Sequence, residues 1–185
     1  MFLTVFSIRT HLEHSMPISE SLIPEFDQEV ANTRHVLERV PTEQFGWRPH
    51  EKSWSMGDLA THIAGLPSWV KYTFTTEELD IAPADGQKIQ QPKCSSTAEV
   101  LNLLGHSTEE ARQAILALPD SGFMQPWTLK ARGKALMTLP RIAVYRGTIM
   151  NHLIHHRGQL TLYLRLCGVP LPNIYGPTAD EPGMF

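Results

Sequence analysis

The sequence predicts an all-α protein, a four-helix bundle with long connectors and an extended C-terminal tail. Three observations support this prediction. Four segments place apolar residues at the spacing of an amphipathic helix. No convincing series of alternating apolar and polar residues predicts a sheet. The chain of 185 residues suits one domain that buries its own core.

The first two predicted helices lie on either side of a short loop. Apolar residues recur at helical spacing over residues 18–40, and Pro41 closes the first helix. Ser55, with Asp58 three residues later, resembles the cap that starts a helix. This second helix is predicted to continue towards Leu79 and to bend at Pro67, because proline lacks the amide hydrogen that a helix interior needs.

The third predicted helix starts at a capping box formed by residues 96–99 and ends before Pro119. Two long connectors flank it, residues 83–95 and residues 119–137, and the second has room for a small hairpin around Arg132-Gly133. Both connectors are too long for tight helical hairpins, so they are candidates for crossovers or for walls of an active site.

The fourth predicted helix starts near Thr138, with Pro140 in its first turn, and ends at Gly168. The tail that follows contains four prolines and is predicted to be mostly extended. Four amphipathic helices of this kind are typical of a helical bundle.

Composition and charge argue against two classes of function. Hydrophobic residues make up 42% of the chain and charged residues 19%, which is typical of a soluble globular protein. The net charge of −3, without a long basic run, argues against a nucleic acid partner, since phosphates are bound by clustered lysine and arginine. No stretch approaches the roughly 20 apolar residues of a membrane span, so no membrane partner is expected.

We expect residues 1–15 to be an N-terminal extension and residues 16–185 to form the single domain. A signal peptide is not expected, because the apolar run is short and has neither a basic start nor a cleavage site. The two cysteines, Cys94 and Cys167, are predicted to be reduced thiols of a cytoplasmic protein. Neither lies in a CxxC motif or beside a histidine pair, so neither is predicted to bind metal.

The fourth predicted helix carries three histidines, His152, His155 and His156. Residues four apart share a helix face, so His152 and His156 can bind one metal ion together. The pair of His152 and His155 is a geometric alternative. We favour the first pair because apolar residues lie near its stripe, whereas His155 lies beside polar ones. Two histidines that bind nothing are the competing interpretation of this motif.

A third ligand is predicted on the second helix. His62 lies among apolar residues there, and histidines that point inward from facing helices build the metal sites of bundles. An isolated histidine in that position usually serves the core. The residue after His152 is Leu153, so the HExxH motif of zinc proteases is absent.

Two blocks of sequence resemble the DinB (DinB/YfiT-like) family. GWRPHEKSWS precedes Leu59-Ala60-Thr61-His62-Ile63, and NHLIHHRGQLTLYLRLCGVP is followed by IYGPTADE. The likeness covers about Ser19 to Glu181. It implies a four-helix bundle, usually dimeric, that binds a divalent metal through His62, His152 and His156.

The resemblance implies a metal-dependent enzyme that activates water or a thiol on a small-molecule substrate, as a hydrolase or a thiol-dependent transferase. The substrate would include a low-molecular-weight thiol, and the ion would be zinc or nickel, followed by iron or manganese. Three histidines with an open position are typical of catalytic rather than structural zinc. The sequence identifies no catalytic base, so the alternative is a non-catalytic metal- or ligand-binding stress-response protein.

Four further residues have candidate roles near the site. Asp58 lies four residues before His62 and is either a hydrogen-bond partner of that ring or an ordinary acid at a helix start. Arg157 and Gln159 either orient a ligand or bridge the bundle. Tyr175 either covers a pocket mouth or fixes the chain end.

Overall fold

Helices dominate the part of the chain that the structure describes. A computed structural model describes residues 16–84, 86 and 92–182. The predicted extension, residues 1–15, and part of the connector predicted at residues 83–95 lie outside the described residues. The first helices are α1 (Ile18–Leu37), α2 (Met56–Gly65), α3 (Ser68–Thr75), α4 (Thr97–Ala117) and the short α5 (Asp120–Phe123). None of the helices in the described residues has the length and apolar composition needed to cross a membrane.

The last helical stretch is continuous but not uniform. It consists of α6 (Arg141–Ala143), a π-helical segment (Val144–Met150) and α7 (Asn151–Leu166). The amide of Gly168, at a φ of 73°, donates to the Arg165 carbonyl, and the amide of Val169 donates to the Leu164 carbonyl, each at 3.0 Å. These bonds close the helix as predicted, because glycine adopts a positive φ without steric cost.

A small sheet corrects the all-α prediction. Its strands are β1 (Glu78–Asp80), β2 (Pro126–Ala131) and β3 (Lys134–Pro140), in the order β1-β2-β3. β2 and β3 form the hairpin predicted around Arg132-Gly133, where φ angles of 53° and 72° are those of a type I′ turn. β1 joins β2 in parallel. The fold is therefore helix-rich with a three-stranded sheet and not a pure four-helix bundle.

The sheet also corrects two predicted helix boundaries. The fourth helix does not start near Thr138, because β3 extends through that residue to Pro140 in pairing with β2. The second helix does not continue to Leu79, which lies in β1. It divides around Pro67 into α2 and α3, since proline cannot donate the hydrogen bond that a continuous helix would need there.

The helices bury two adjoining hydrophobic clusters. α4 packs against α1, α2 and α3, while α7 packs against α1 and α2. One cluster contains Leu59 and Ile63 of α2 together with Leu153 and Leu160 of α7. These contacts hold the buried faces of α2 and α7 against each other, which brings the histidines of both helices to one place.

The C-terminal tail lies against the bundle without forming a helix or strand over its described residues, 169–182, as predicted. Asp180 accepts hydrogen bonds from the Arg165 side chain at 2.5 Å and from the Leu171 amide at 2.9 Å. Glu181 forms an ion pair with Arg39 at 2.6 Å. Two carboxylates therefore fix the tail to the loop after α1 and to the end of α7.

Candidate metal centre

His62 is positioned by the cap of α2. The Ser55 hydroxyl accepts the amide hydrogen of Asp58 at 3.1 Å and donates to the Asp58 carboxylate at 2.6 Å. These bonds start the helix at Met56. Leu59 and Ile63 are 2% and 0% exposed, so they determine which face of α2 is turned to the core. His62, between them in sequence, is half-buried at the edge of this apolar face.

His152 and His156 project from the start of α7, one turn apart. Leu153, Leu160 and Leu164 are at most 1% exposed and set the face that the helix turns to the core. The π-helical segment ends at Met150, two residues before His152. Segments of π-helix occur frequently at functional sites, where the wider turn changes the direction of the following side chains.

The three histidines form one group. Their ligand nitrogens all lie within 4.8 Å of one another, and the Nε2 atoms of His62 and His152 are 3.4 Å apart. The ring centroids of His152 and His156 are separated by 4.6 Å. His155 is exposed and lies outside this group, although its ring contacts that of His156. Among the described residues, the side chains that could hold a metal ion are thus His62, His152 and His156.

The environment keeps the three rings neutral. Burial is the main reason why the pKa of His62 is lowered to about 4, and the neighbouring His156 and His152 lower it further. Burial also lowers the pKa values of His152 and His156 from the usual value of histidine. A neutral imidazole has a free nitrogen lone pair, and that is the form that binds a metal ion.

Gln159 fixes the orientation of the His156 ring. The Nδ1 atom of His156 lies 2.7 Å from the Gln159 side-chain oxygen, Oε1. An amide oxygen only accepts, so Nδ1 must carry the hydrogen and donate it. The proton is thereby absent from Nε2, which leaves that nitrogen free as a ligand.

Trp54 covers one side of the histidine group. Its ring lies 4.8 Å from the His62 ring, edge to face, and 5.7 Å from the His156 ring, at an interplanar angle of 23°. Trp54 itself is 49% exposed and immediately precedes the cap residue Ser55. The indole therefore shields the two rings from solvent while keeping its own outer face in water.

Two cavities border the histidine group. The larger has a volume of about 1020 Å³ and is bordered by His62 and His152. The smaller, of about 240 Å³, is bordered by His156 and Gln159. Trp54 lines both. A bound molecule can thus approach the group through the larger cavity.

The remaining candidates have other contacts. The Asp58 carboxylate takes part in the helix cap. Arg157 is 2% exposed and pairs with Glu29, and the Tyr175 hydroxyl donates to the same carboxylate, so the tail docks on the bundle there. Burial raises the pKa values of both cysteine thiols.

The sequence offered Gln159 as a residue that orients a ligand or bridges the bundle, and did not link it to His156, while the position of Trp54 beside the histidines was not predicted. Gln159 follows His156 by three residues, a helical spacing that brings two side chains into contact, so the sequence contained a usable signal. No such spacing in the sequence indicated the larger cavity. Trp127, Leu129 and Met137 of the sheet line it, and their approach to His62 depends on the tertiary fold.

Comparison with known proteins identifies relatives of this chain. A sequence model of the DinB family matches residues 16–183. The uncharacterized protein YjoA of Bacillus subtilis (strain 168) is 27% identical over 143 residues, which cover 74% of this chain and 82% of YjoA. The uncharacterized protein YrdA of the same strain is 43% identical over 37 residues, which cover 20% of this chain and 22% of YrdA.

Solved structures with a similar fold include two DinB-like proteins. The crystal structure of one from Bacillus cereus ATCC 10987 aligns with a TM-score of 0.66 at 20% identity, covering 86% of this chain and 98% of that chain. The crystal structure of YjoA aligns with a TM-score of 0.61 at 16% identity, covering 88% and 99% of the two chains. At such identities, the likeness concerns the fold alone.

Proposed function

Since the chain belongs to the DinB family, we propose that it is a metal-dependent enzyme in which His62, His152 and His156 hold one divalent ion beside a substrate cavity. The reaction would be hydrolysis or thiol transfer on a small molecule. One observation carries the proposal. Three neutral, half-buried imidazoles from two helices converge, and two of them, those of His62 and His152, line a cavity large enough for a substrate.

The distance between the two nearest nitrogens fits a shared ion. Two imidazole nitrogens about 2.0–2.1 Å from one tetrahedral zinc ion would lie roughly 3.3–3.4 Å apart. The Nε2 atoms of His62 and His152 are separated by 3.4 Å. A nitrogen of His156 lies within 4.8 Å of both, so it is close enough to belong to the same group.

The chemistry would depend on an open coordination position. When bound, a divalent ion held by three histidines supplies Lewis acidity that lowers the pKa of a coordinated water or thiol. The group that could hold a metal in the described residues contains no fourth protein ligand, and His62 and His152 face the larger cavity. The substrate would enter there. Imidazole ligands favour zinc or nickel, with iron or manganese as further candidates.

Two other residues would orient the ring of His156 and shield the histidines from solvent. Gln159 keeps the proton of His156 on Nδ1, so that Nε2 remains a ligand. Trp54 lies against the rings of His62 and His156, lines both cavities and limits the access of water to the histidines.

Substitution of Gln159 tests this arrangement. We expect Gln159→Leu to lower metal affinity roughly 10- to 100-fold, because the His156 ring loses the acceptor that fixes its orientation. Gln159→Glu keeps an acceptor at the same place and should retain most of the affinity. Calorimetric titration with zinc would measure both variants. Equal affinity of Gln159→Leu and the unchanged protein would contradict the assigned role.

The enzyme proposal is tested by a substrate screen on metal-loaded protein. Panels of small esters, amides and thiol acceptors would be offered to the zinc- and nickel-loaded chain and to a variant with His62, His152 and His156 replaced by alanine. We expect turnover of at least one class, reduced to the buffer rate in the variant. Equal turnover by both proteins would contradict a role for the histidines in catalysis.

A second candidate function is non-catalytic binding of a metal or ligand. The carboxylate nearest to His62 in sequence is that of Asp58, whose Oδ2 accepts a hydrogen bond from the Ser55 hydroxyl, and this contact favours a role in the helix cap over that of a base. Tight metal binding without turnover in the same screen would favour this alternative.

A further inference from the structure

The wall of the larger cavity consists mainly of aromatic and aliphatic side chains. Three of the four tryptophans of the chain, Trp54, Trp69 and Trp127, line it, together with Tyr72. Aliphatic side chains complete the wall: Leu66, Leu103, Leu129, Met137, Val144 and Ile149. A wall of this kind removes apolar surface of a ligand from water and stacks on aromatic rings.

Formal charge is nearly absent from this wall. Among the described residues that line the cavity, Asp58 and Lys93 are the side chains that are charged at neutral pH. Both are exposed, so they lie where the cavity meets solvent. A charged substrate body inside would lose its hydration without gaining a partner, which is energetically costly.

We propose that the substrate consists of a bulky apolar, aromatic body and a single polar head that coordinates the metal. This inference rests on the proposed function, because the head is assigned to the ion held by His62, His152 and His156. Thr61 and Thr148 line the cavity close in sequence to His62 and His152, so their hydroxyls can form hydrogen bonds with the head. Ser68 and Tyr72 also bring hydroxyls to the wall, and that of Ser68 already donates to the Gly65 carbonyl at 2.8 Å. The body fills the space between α3 and the sheet.

The size of the cavity supports a large body. Cavities that bind drug-sized ligands measure roughly 300–1,000 Å³, and this one measures about 1020 Å³. A two-carbon thiol would occupy a small part of it and leave most of the aromatic wall without contact. Affinity should therefore rise with the apolar size of the molecule that carries the head.

A series of thiols with the same head tests the proposal on cobalt(II)-loaded protein. The probes are 2-mercaptoethanol, 2-phenylethanethiol and 2-(2-naphthyl)ethanethiol, and the cobalt absorption spectrum reports thiol coordination. We expect affinity to rise about tenfold at each step, since each step buries more apolar surface. Glutathione, a charged thiol, should bind more weakly than the naphthyl compound. Equal affinities across the series, or tighter binding of glutathione, would overturn the proposal.

A matched pair of variants tests whether the apolar body of the ligand lies against the sheet. Met137 on β3 lines the cavity and is the cross-strand partner of Leu129, whereas Leu136 is 59% exposed and outside the wall. We expect Met137→Glu to weaken the naphthyl thiol at least about tenfold, with the 2-mercaptoethanol affinity and the cobalt spectrum unchanged. Leu136→Glu should change none of these. If Met137→Glu does not fold, Leu129→Gln takes its place, and an unchanged naphthyl affinity there would overturn the proposal.

Failure of the proposed function gives a different result from failure of this inference. If cobalt does not load, the metal site is wrong, and metal-free protein is then titrated calorimetrically with the naphthyl thiol. Saturable binding that Met137→Glu weakens would support the apolar site without the metal. Absence of binding would overturn the inference as well. Cobalt loading without preference for the aromatic thiols would overturn the inference alone.

Discussion

Replacement of His152 by alanine should abolish tight binding of a divalent metal and leave the helical circular dichroism signal nearly unchanged. The Nε2 atom of His152 lies 3.4 Å from that of His62, so its loss leaves the ion without one of two adjacent ligands. Loss of a group that only orients a ligand costs roughly 10- to 100-fold in affinity, and loss of a ligand itself should cost more. Calorimetric titration with zinc measures the effect.

His155→Ala is the matched control for this prediction. His155 belongs to the same helix but is exposed and lies outside the histidine group. Its replacement should leave zinc affinity within about a factor of two or three, the usual range for a surface change. An equal loss of metal in both variants would show that His152 and His155 form the binding pair. Loss of folding in His152→Ala would indicate a structural role.

Replacement of Arg157 by alanine should cause the largest loss of stability. The guanidinium is 2% exposed and pairs with the Glu29 carboxylate at 2.7 Å. It also donates to the Glu29 carbonyl at 3.0 Å and to the Tyr175 hydroxyl at 2.5 Å. Alanine would leave the Glu29 carboxylate buried without its cation, and an unpaired buried charge is costly.

We expect Arg157→Ala to lower the free energy of unfolding by about 3–5 kcal/mol. For a domain of this size, that corresponds to a decrease in Tm of roughly 6–20 °C, which differential scanning calorimetry would measure. Arg112→Ala is the control. Arg112 pairs with Asp27, which lies in α1 as Glu29 does, but the two side chains of this pair are 41% and 45% exposed. The control should lower Tm far less. Equal decreases would contradict the role assigned to burial.

Capping patterns in the sequence correctly predicted where α2 and α4 begin. Ser55 and Ser96 each accept the amide hydrogen of the residue three positions later, at Asp58 and Glu99, as the capping patterns predicted. Gly168 ends α7 for a similarly local reason. Such features involve backbone atoms within one turn, so a single sequence contains enough information to identify them.

The sequence indicated the hairpin of β2 and β3, whose pairing is local, but the addition of β1 could not be predicted because that pairing is non-local. β1 has three residues and is paired with β2, about fifty residues later in the chain. The carboxylate of Asp80 accepts hydrogen bonds from the amides of Arg132 and Gly133 at the hairpin turn. No periodicity within residues 78–80 indicates such contacts. Pro140 was assigned to a helix start, and it does precede one, but β3 ends on the same residue.

The sequence predicted three histidines that the fold brings together, but it did not predict their surroundings. The spacing of His152 and His156 and the resemblance that included His62 pointed to the group that the fold brings together. The ring contacts of Trp54 and the cavity wall on the sheet depend on how α2, α7 and β2 meet. Those contacts follow from tertiary packing, which spacing along the chain does not determine.

The metal content of untagged protein decides whether His62, His152 and His156 hold an ion. Mass spectrometry would compare the purified chain with the variant in which His62, His152 and His156 are alanine. We expect about one divalent ion per chain, lost in the variant. Absence of metal after reconstitution with zinc, nickel, iron or manganese would contradict it. An equal metal content in the two proteins would contradict it as well.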